Sequence, residues 1–154
     1  DLARDPLPPL TGGSLAQPDP AEPADAERAM QQFLDADVVV IGAPMYNFSI
    51  PSTLKAWIDR IAVAGRTSRY TANGREGLAG DKKVIIPSGP AGLHAGAPTD
   101  FQEPYLRQVF GFLGIDDVEF VRAEGVGLSP QHRSDAIASA KAAIPPAPRL
   151  RAAA

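Results

Sequence analysis

Cysteine is missing from all 154 residues, which removes disulfides, zinc–thiolate sites and thiol nucleophiles. The same lack is compatible with a reducing compartment, and a cytoplasmic protein is expected. A basic excess is missing too: 15 Lys and Arg face 18 Asp and Glu, leaving a net charge of −3. That balance argues against a nucleic-acid partner or an anionic membrane surface. No apolar run approaches the ~20 residues needed to cross a bilayer, so no membrane partner is expected. Nor does a basic segment lead into an apolar stretch, as it would in a signal peptide.

What is there suffices for one globular domain. Hydrophobic residues make up 44% and charged residues 21%, over a length that suits a single core. The domain is expected at 1–144, with the Ala/Pro/Arg-rich residues 145–154 a disordered tail. Pro6, Pro8, Pro9, Pro18, Pro20 and Pro23 keep residues 1–23 out of any regular helix or central strand, leaving an extended surface connection.

Beyond it, helical and strand patterns alternate. Residues 24–35 carry Ala26, Met30, Phe33 and Leu34 on one helical face. Residues 37–42 form a continuous β-branched run suited to a strand buried on both faces. Pro51 stands at a plausible first helical position, and Leu54, Trp57, Ile58 and Ile61 then mark a helix face. Residues 65–80 are glycine-rich and polar, with Asn73-Gly74 a turn signal. A second buried strand is expected at 83–87. Thr99 and Gln102 read as a capping box opening a helix to about 113, with Phe101, Tyr105, Val109 and Phe112 as its apolar stripe. A third strand is expected at 117–121, and Ser129-Pro130 starts a last helix carrying Ala136, Ile137, Ala140 and Ile144.

Such alternation implies an α/β fold with a parallel, doubly wound sheet and right-handed crossovers. Ligands of open parallel sheets bind beyond the carboxyl ends of the strands. Two segments sit there, 43–50 and 88–98. In the first, Pro44 and Pro51 bracket Met45, Tyr46, Asn47 and Phe48. A flavin ring needs an apolar or aromatic wall, with backbone N–H and C=O groups aimed at its pyrimidine edge and N5. This loop offers both, although composition alone favours a turn whose aromatics plug the core.

The run Pro44-Met45-Tyr46-Asn47-Phe48-Ser49-Ile50-Pro51, followed by Leu54-Lys55, resembles the flavin-contacting loop of the FMN-dependent NADH-azoreductase and NADH:quinone oxidoreductase family. The similarity continues through Arg69-Tyr70-Thr71, Asn73-Gly74, Gly92-Leu93-His94, Pro98-Thr99-Asp100, Pro104-Tyr105-Leu106, Gly111 to Ile115, and Ala123-Glu124-Gly125. It covers nearly all of residues 1–125, Asp1-Leu2-Ala3 matching the end of the family's second strand.

By that resemblance the fold is flavodoxin-like, and Pro44, Met45, Tyr46, Asn47 and Phe48 line FMN. Ser88, Gly89, Pro90, Ala91 and Gly92 would meet its pyrimidine side. Here the chain departs from a Ser/Thr-Arg-Gly-Gly pattern, with only Gly92 matching well. Tyr70 and Phe112 would frame the space where NADH, or NADPH, and the electron acceptor take turns. Phe112 reads equally as an ordinary core residue, and His94 either as a contact to flavin or acceptor or as a surface histidine. His132 is read as surface, Trp57 as core or subunit interface, and the pairs Lys55/Asp59 and Asp81/Lys82 as solvated charge.

The resemblance further implies a homodimer with one FMN per subunit, reducing quinones or azo compounds by a ping-pong mechanism. No catalytic acid, base or nucleophile and no metal site are assigned. Members of the family begin with a strand and a Ser-rich phosphate loop that this chain does not show. Binding of FMN is therefore expected to be weak without them, and the run 38–41 to have an unpaired edge. A flavodoxin-type electron carrier and a cofactor-free interaction domain are the alternative readings.

Overall fold

Strand β4 (Lys83–Ser88) is hydrogen-bonded along both edges, to β1 (Val38–Val40) on one side and β5 (Val118–Arg122) on the other, all parallel. The computed structural model describes residues 1–13 and 24–144. The expected tail at 145–154 lies outside them, as does part of the proline-rich segment. The other elements are α1 (Ala24–Asp35), α2 (Ser52–Ile61), the hairpin β2 (Ser68–Thr71) and β3 (Gly74–Gly77), α3 (Gln102–Phe112) and α4 (Pro130–Ala142). Among the described residues no helix is long and apolar enough to cross a membrane.

The β1 ladder runs past its last strand residue, with Ile41 and Ala43 donating their amides to Ile85 and Pro87. Burial alternates along β4 instead of covering both faces as expected. Val84 and Ile86 are fully buried, Ile85 is half-buried and Pro87 exposed. The buried face packs against Leu54, Ile58 and Ile61 of α2, and against Leu106 and Phe110 of α3, in one apolar cluster that includes Phe33. On the opposite face Val40 is 64% exposed, and among the described residues the outer edge of β1 has no strand partner.

Several local expectations are corrected. Residues 1–5 form a turn, Arg4 and Asp5 donating to the Asp1 carbonyl, so Asp1-Leu2-Ala3 is not a strand end. The connection that follows is not wholly on the surface. Leu7 is buried, and the buried Arg60 donates to the Pro8 carbonyl at 3.1 Å. Pro51 precedes α2 as its N-cap, its ψ of 145° being extended. Residues 65–80 include a two-stranded antiparallel hairpin, turning at Ala72-Asn73 with Gly74 at φ +104°.

The capping of α3 is done by Asp100, whose Oδ1 accepts from the amides of Gln102 and Glu103 at 3.1 and 3.0 Å. Thr99 bonds His94 instead. The buried stripe of α3 is Gln102, Leu106 and Phe110, one position on from the expected one; Phe101 is exposed. Both phases are apolar in sequence, and contact with β4 selects between them. In α4 only Ala140 is buried and Ile144 is exposed. Lys82 is not free surface charge: its Nζ donates to the carbonyls of Leu34 and Ala36 at the end of α1, at 2.6 and 2.7 Å. A cation at a helix C-terminus complements unpaired carbonyls and the dipole. Lys55 and Asp59 pair at 2.5 Å on the surface of α2, as read.

The hairpin docks on the end of α3 through two glycines. A Cβ on Gly77 would lie 2.1 Å from the Gly114 amide nitrogen, and backbone cannot retreat as a side chain would. Gly77→Ala should therefore destabilise by about 3 kcal/mol or more, at or beyond the usual overpacking range. Phe110→Ala, fully buried, should cost about 3–5 kcal/mol. Urea titrations followed by circular dichroism check both.

Candidate functional site

Because β1, β4 and β5 run the same way, three loops emerge at one edge of the sheet: 43–50, 89–101 and 123–129. The first is fixed at its root. Ala43 donates to Pro87 at 2.9 Å, and its carbonyl accepts from the side-chain amide of Gln102 at 2.7 Å. Gln102 is buried, which explains a polar residue inside the α3 stripe. Its Oε1 has no partner among the described residues, and Gln102 borders a cavity of about 10 Å³ between Met45, Ser88, His94 and Arg122, room for a single water.

At the loop's tip Tyr46 and Ser49 exchange both backbone hydrogen bonds, at 2.8 and 3.1 Å, around Asn47 and Phe48. Asn47 has φ +49° and Phe48 φ +70°. Two consecutive left-handed residues make a type I′ turn. Asparagine tolerates that region, whereas a bulky aromatic there carries strain of order 1–3 kcal/mol. The turn thereby holds Tyr46 62% and Phe48 50% exposed. Phe48 meets His94 edge-on, with ring centroids 5.8 Å apart. The amides of Asn47 and Phe48 lie outside the turn's own pairing.

The second loop is held by the third. The carbonyls of Ser88, Pro90, Ala91 and Gly92 accept from the amides of Ala123, Val126, Gly127 and Gly125, at 2.8 to 3.2 Å. That pairing leaves the amides of Gly89, Ala91 and Gly92 outside it; Pro90 is buried and has none. Glu124 Oε1 accepts from the amides of His94 and Ala95 at 2.6 and 2.7 Å. His94 Nδ1 lies 2.9 Å from Thr99 Oγ1, and a Cβ on Gly92 would stand 2.8 Å from His94 Nε2. His94 is thus a fixed part of the loop. His132 is half-buried, its Nε2 3.2 Å from the Glu124 carbonyl, so it braces the third loop and is not plain surface. Arg122 and Glu103 form a two-bond pair joining β5 to α3, and the hydrogen bond to Glu103 raises the Arg122 pKa further above its ordinary value.

The structure brings Pro44 to Phe48 and Ser88 to His94 to the same edge. Exposed aromatic rings beside amides outside any loop pairing are what a flavin ring requires, so these residues fit such a group. Tyr70 and Phe112 are elsewhere. Helix α3 starts beside Ala43 and runs back about 16 Å, at 1.5 Å per residue over its 11 residues, to the amino edge of the sheet. There Leu113 accepts from Ala79, and the hairpin carrying Tyr70 packs against Gly114. Phe112 is half-buried and Tyr70 77% exposed. Trp57 is a core-edge residue, its ring edge-on to Phe33 at 5.9 Å.

Sequence reasoning read Gln102 only as a capping-box residue and Glu124 only as part of the resemblance, and gave neither a role at the site. Glu124 had a signal, a carboxylate just past a strand's carboxyl end. Gln102 had only its phase on α3.

The chain matches the family described as flavodoxin-like fold over residues 1–145. It is 74% identical over 144 residues to FMN-dependent NADH:quinone oxidoreductase 1 of Xanthomonas euvesicatoria pv. vesicatoria, covering 94% of this chain and 74% of that protein. An azoreductase structure from Bacillus anthracis str. Sterne superposes with a TM-score of 0.80 at 30% identity, covering 92% of this chain and 78% of the other. An FMN-dependent NADH-azoreductase from Bacillus anthracis str. Ames Ancestor, in complex with FMN, gives 0.77 at 27% identity, covering 92% and 77%. With its parallel sheet and its loop edge, the chain belongs to the flavodoxin-like family that includes the FMN-dependent NADH:quinone oxidoreductases and the azoreductases.

Proposed function

We propose that this protein is an FMN-dependent oxidoreductase, passing two electrons from NADH or NADPH through the flavin to quinones and azo compounds in a ping-pong sequence. The observation that carries the proposal is the strained Tyr46-Asn47-Phe48 turn, which keeps two aromatic rings exposed beside backbone amides. Strain of this kind persists where surrounding structure imposes it, and it clusters at ligand sites. The names of the relatives support the same chemistry.

When bound, the flavin supplies the hydride and electron transfer; the protein binds, orients and shields. Pro44 and Met45 would flank the ring, with Tyr46 and Phe48 as its wall and the Asn47 and Phe48 amides as donors. The amides of Gly89, Ala91 and Gly92 would meet its pyrimidine edge, and the Arg found in the family's pattern is replaced here by Pro90. Glu124, holding the His94 and Ala95 amides, and Gln102, holding Ala43, are positioning residues for the two loops. His94 stands beside Phe48, where an acceptor oxygen would approach.

A homodimer completes the proposal. Tyr70 and Phe112 sit at the far end of α3 from Phe48, so they would reach a flavin only from the other subunit. A cytoplasmic setting is part of the same reading, compatible with the cysteine-free composition.

Titrating FMN against a chain preceded by a family-like strand and Ser-rich phosphate loop should quench flavin fluorescence at one FMN per chain, with weaker binding by the chain alone, and the complex should oxidise NADH when menadione is added. An electron carrier would bind FMN and show almost no turnover. Phe48→Gly separates site from fold: glycine relieves the left-handed strain, so stability should be kept or raised by about 1 kcal/mol while FMN affinity falls several-fold. For the dimer, Phe48→Ser and Phe112→Ala chains, each impaired alone, should regain quinone reduction when refolded together. An intrachain site would give no recovery.

A further inference from the structure

We propose that Arg75 recognises an anionic group on the small molecule that occupies the slot framed by Tyr70 and Phe112, a proposal that rests on the oxidoreductase reading above. The hairpin has two unlike faces. On one, Arg69 and Glu76 are register partners and pair through two hydrogen bonds at 2.7 and 3.0 Å, so their charges cancel. On the other, the register partners are Tyr70 and Arg75. Arg75 is exposed and has no ion pair among the described residues.

Its guanidinium is nevertheless held. Its Cζ lies 4.9 Å from the centroid of the Phe112 ring, and Nη1 donates to the Gly111 carbonyl at 3.1 Å. Stacking on an aromatic face and one backbone bond orient the planar fork, and only one of its five N–H donors is taken by that bond. A pre-oriented, uncompensated fork is suited to the oxygens of a sulfonate, carboxylate or phosphate. Phe112 therefore has two roles, as a wall of the slot and as a platform for the cation. The anionic oxygens have two sources, the phosphates of the nicotinamide donor or an acid group on the acceptor.

The test compares the wild-type chain, Arg75→Gln and Arg75→Lys, with a sulfonated azo dye, neutral menadione and NADH. If the acceptor is recognised, Arg75→Gln should raise the ratio of dye KM to menadione KM by roughly tenfold, the scale of one charge-assisted hydrogen bond. Arg75→Lys, which keeps the charge and loses the fork, should fall between. A rise confined to the KM for NADH assigns the anion to the donor. Unchanged values for both dye and NADH overturn the proposal. A second readout needs no turnover: titrating the flavin-free chain with benzenesulfonate or inorganic phosphate should shift the Arg75 Nε–H and Phe112 ring resonances by NMR. No shift with either anion also overturns it. Failure to bind FMN or reduce menadione, both by this chain and by one preceded by a family-like strand and phosphate loop, would refute the oxidoreductase reading instead, with the NMR titration still deciding the role of Arg75.

Discussion

Three parallel strands joined through β4 have to deliver their loops to the same side. Everything at the candidate site depends on that pairing. Val84 and Ile86 are sealed under α2 and α3, and their burial fixes the register that aligns Val39 with Val84 and Ile85 with Glu119. A slip of one residue would turn these side chains to the other face. With the register set, Ala43, Ser88 and Ala123 end their strands level with one another, and the three loops become neighbours.

The loops are then tied together by polar groups chosen for geometry. Backbone amides of 123–127 occupy the carbonyls of 88–92, Glu124 draws in His94 and Ala95, and Gln102 holds Ala43. The result is asymmetric: carbonyls are engaged, while the amides of Gly89, Ala91 and Gly92 lie outside the pairing. Backbone carbonyls need partners, and this loop satisfies them internally while its amides stay outside the pairing, the arrangement that the proposed flavin site calls for.

Helix α3 links this edge to the opposite one. Its first turn holds the 43–50 loop through Gln102 and β5 through Glu103, and its last turn carries Phe112, on which Arg75 is stacked. The docking of hairpin on helix end, glycine against glycine, keeps Tyr70 and Arg75 on one face. The molecule thus has an amide-rich aromatic edge and a cation-bearing aromatic face at the far end of α3, which one chain keeps apart.

Much of this was legible in the residues. Apolar runs and one more alternating pattern marked the three parallel strands, the periodicity of 24–35 marked α1 to the residue, and the bracketed Met-Tyr-Asn-Phe loop marked the turn that keeps its aromatics exposed. Such features are local, because strand propensity, helical period and proline geometry act over a few neighbouring residues. Only the tertiary structure decided which stripe of α3 faces the core, that Asp100 and not Thr99 caps it, and that Lys82 closes α1 from 46 residues away. It also decided that Phe112 and Tyr70 lie across the sheet from Phe48. Each of these is a choice between locally equivalent options, and only contacts between segments distant in the chain can make it.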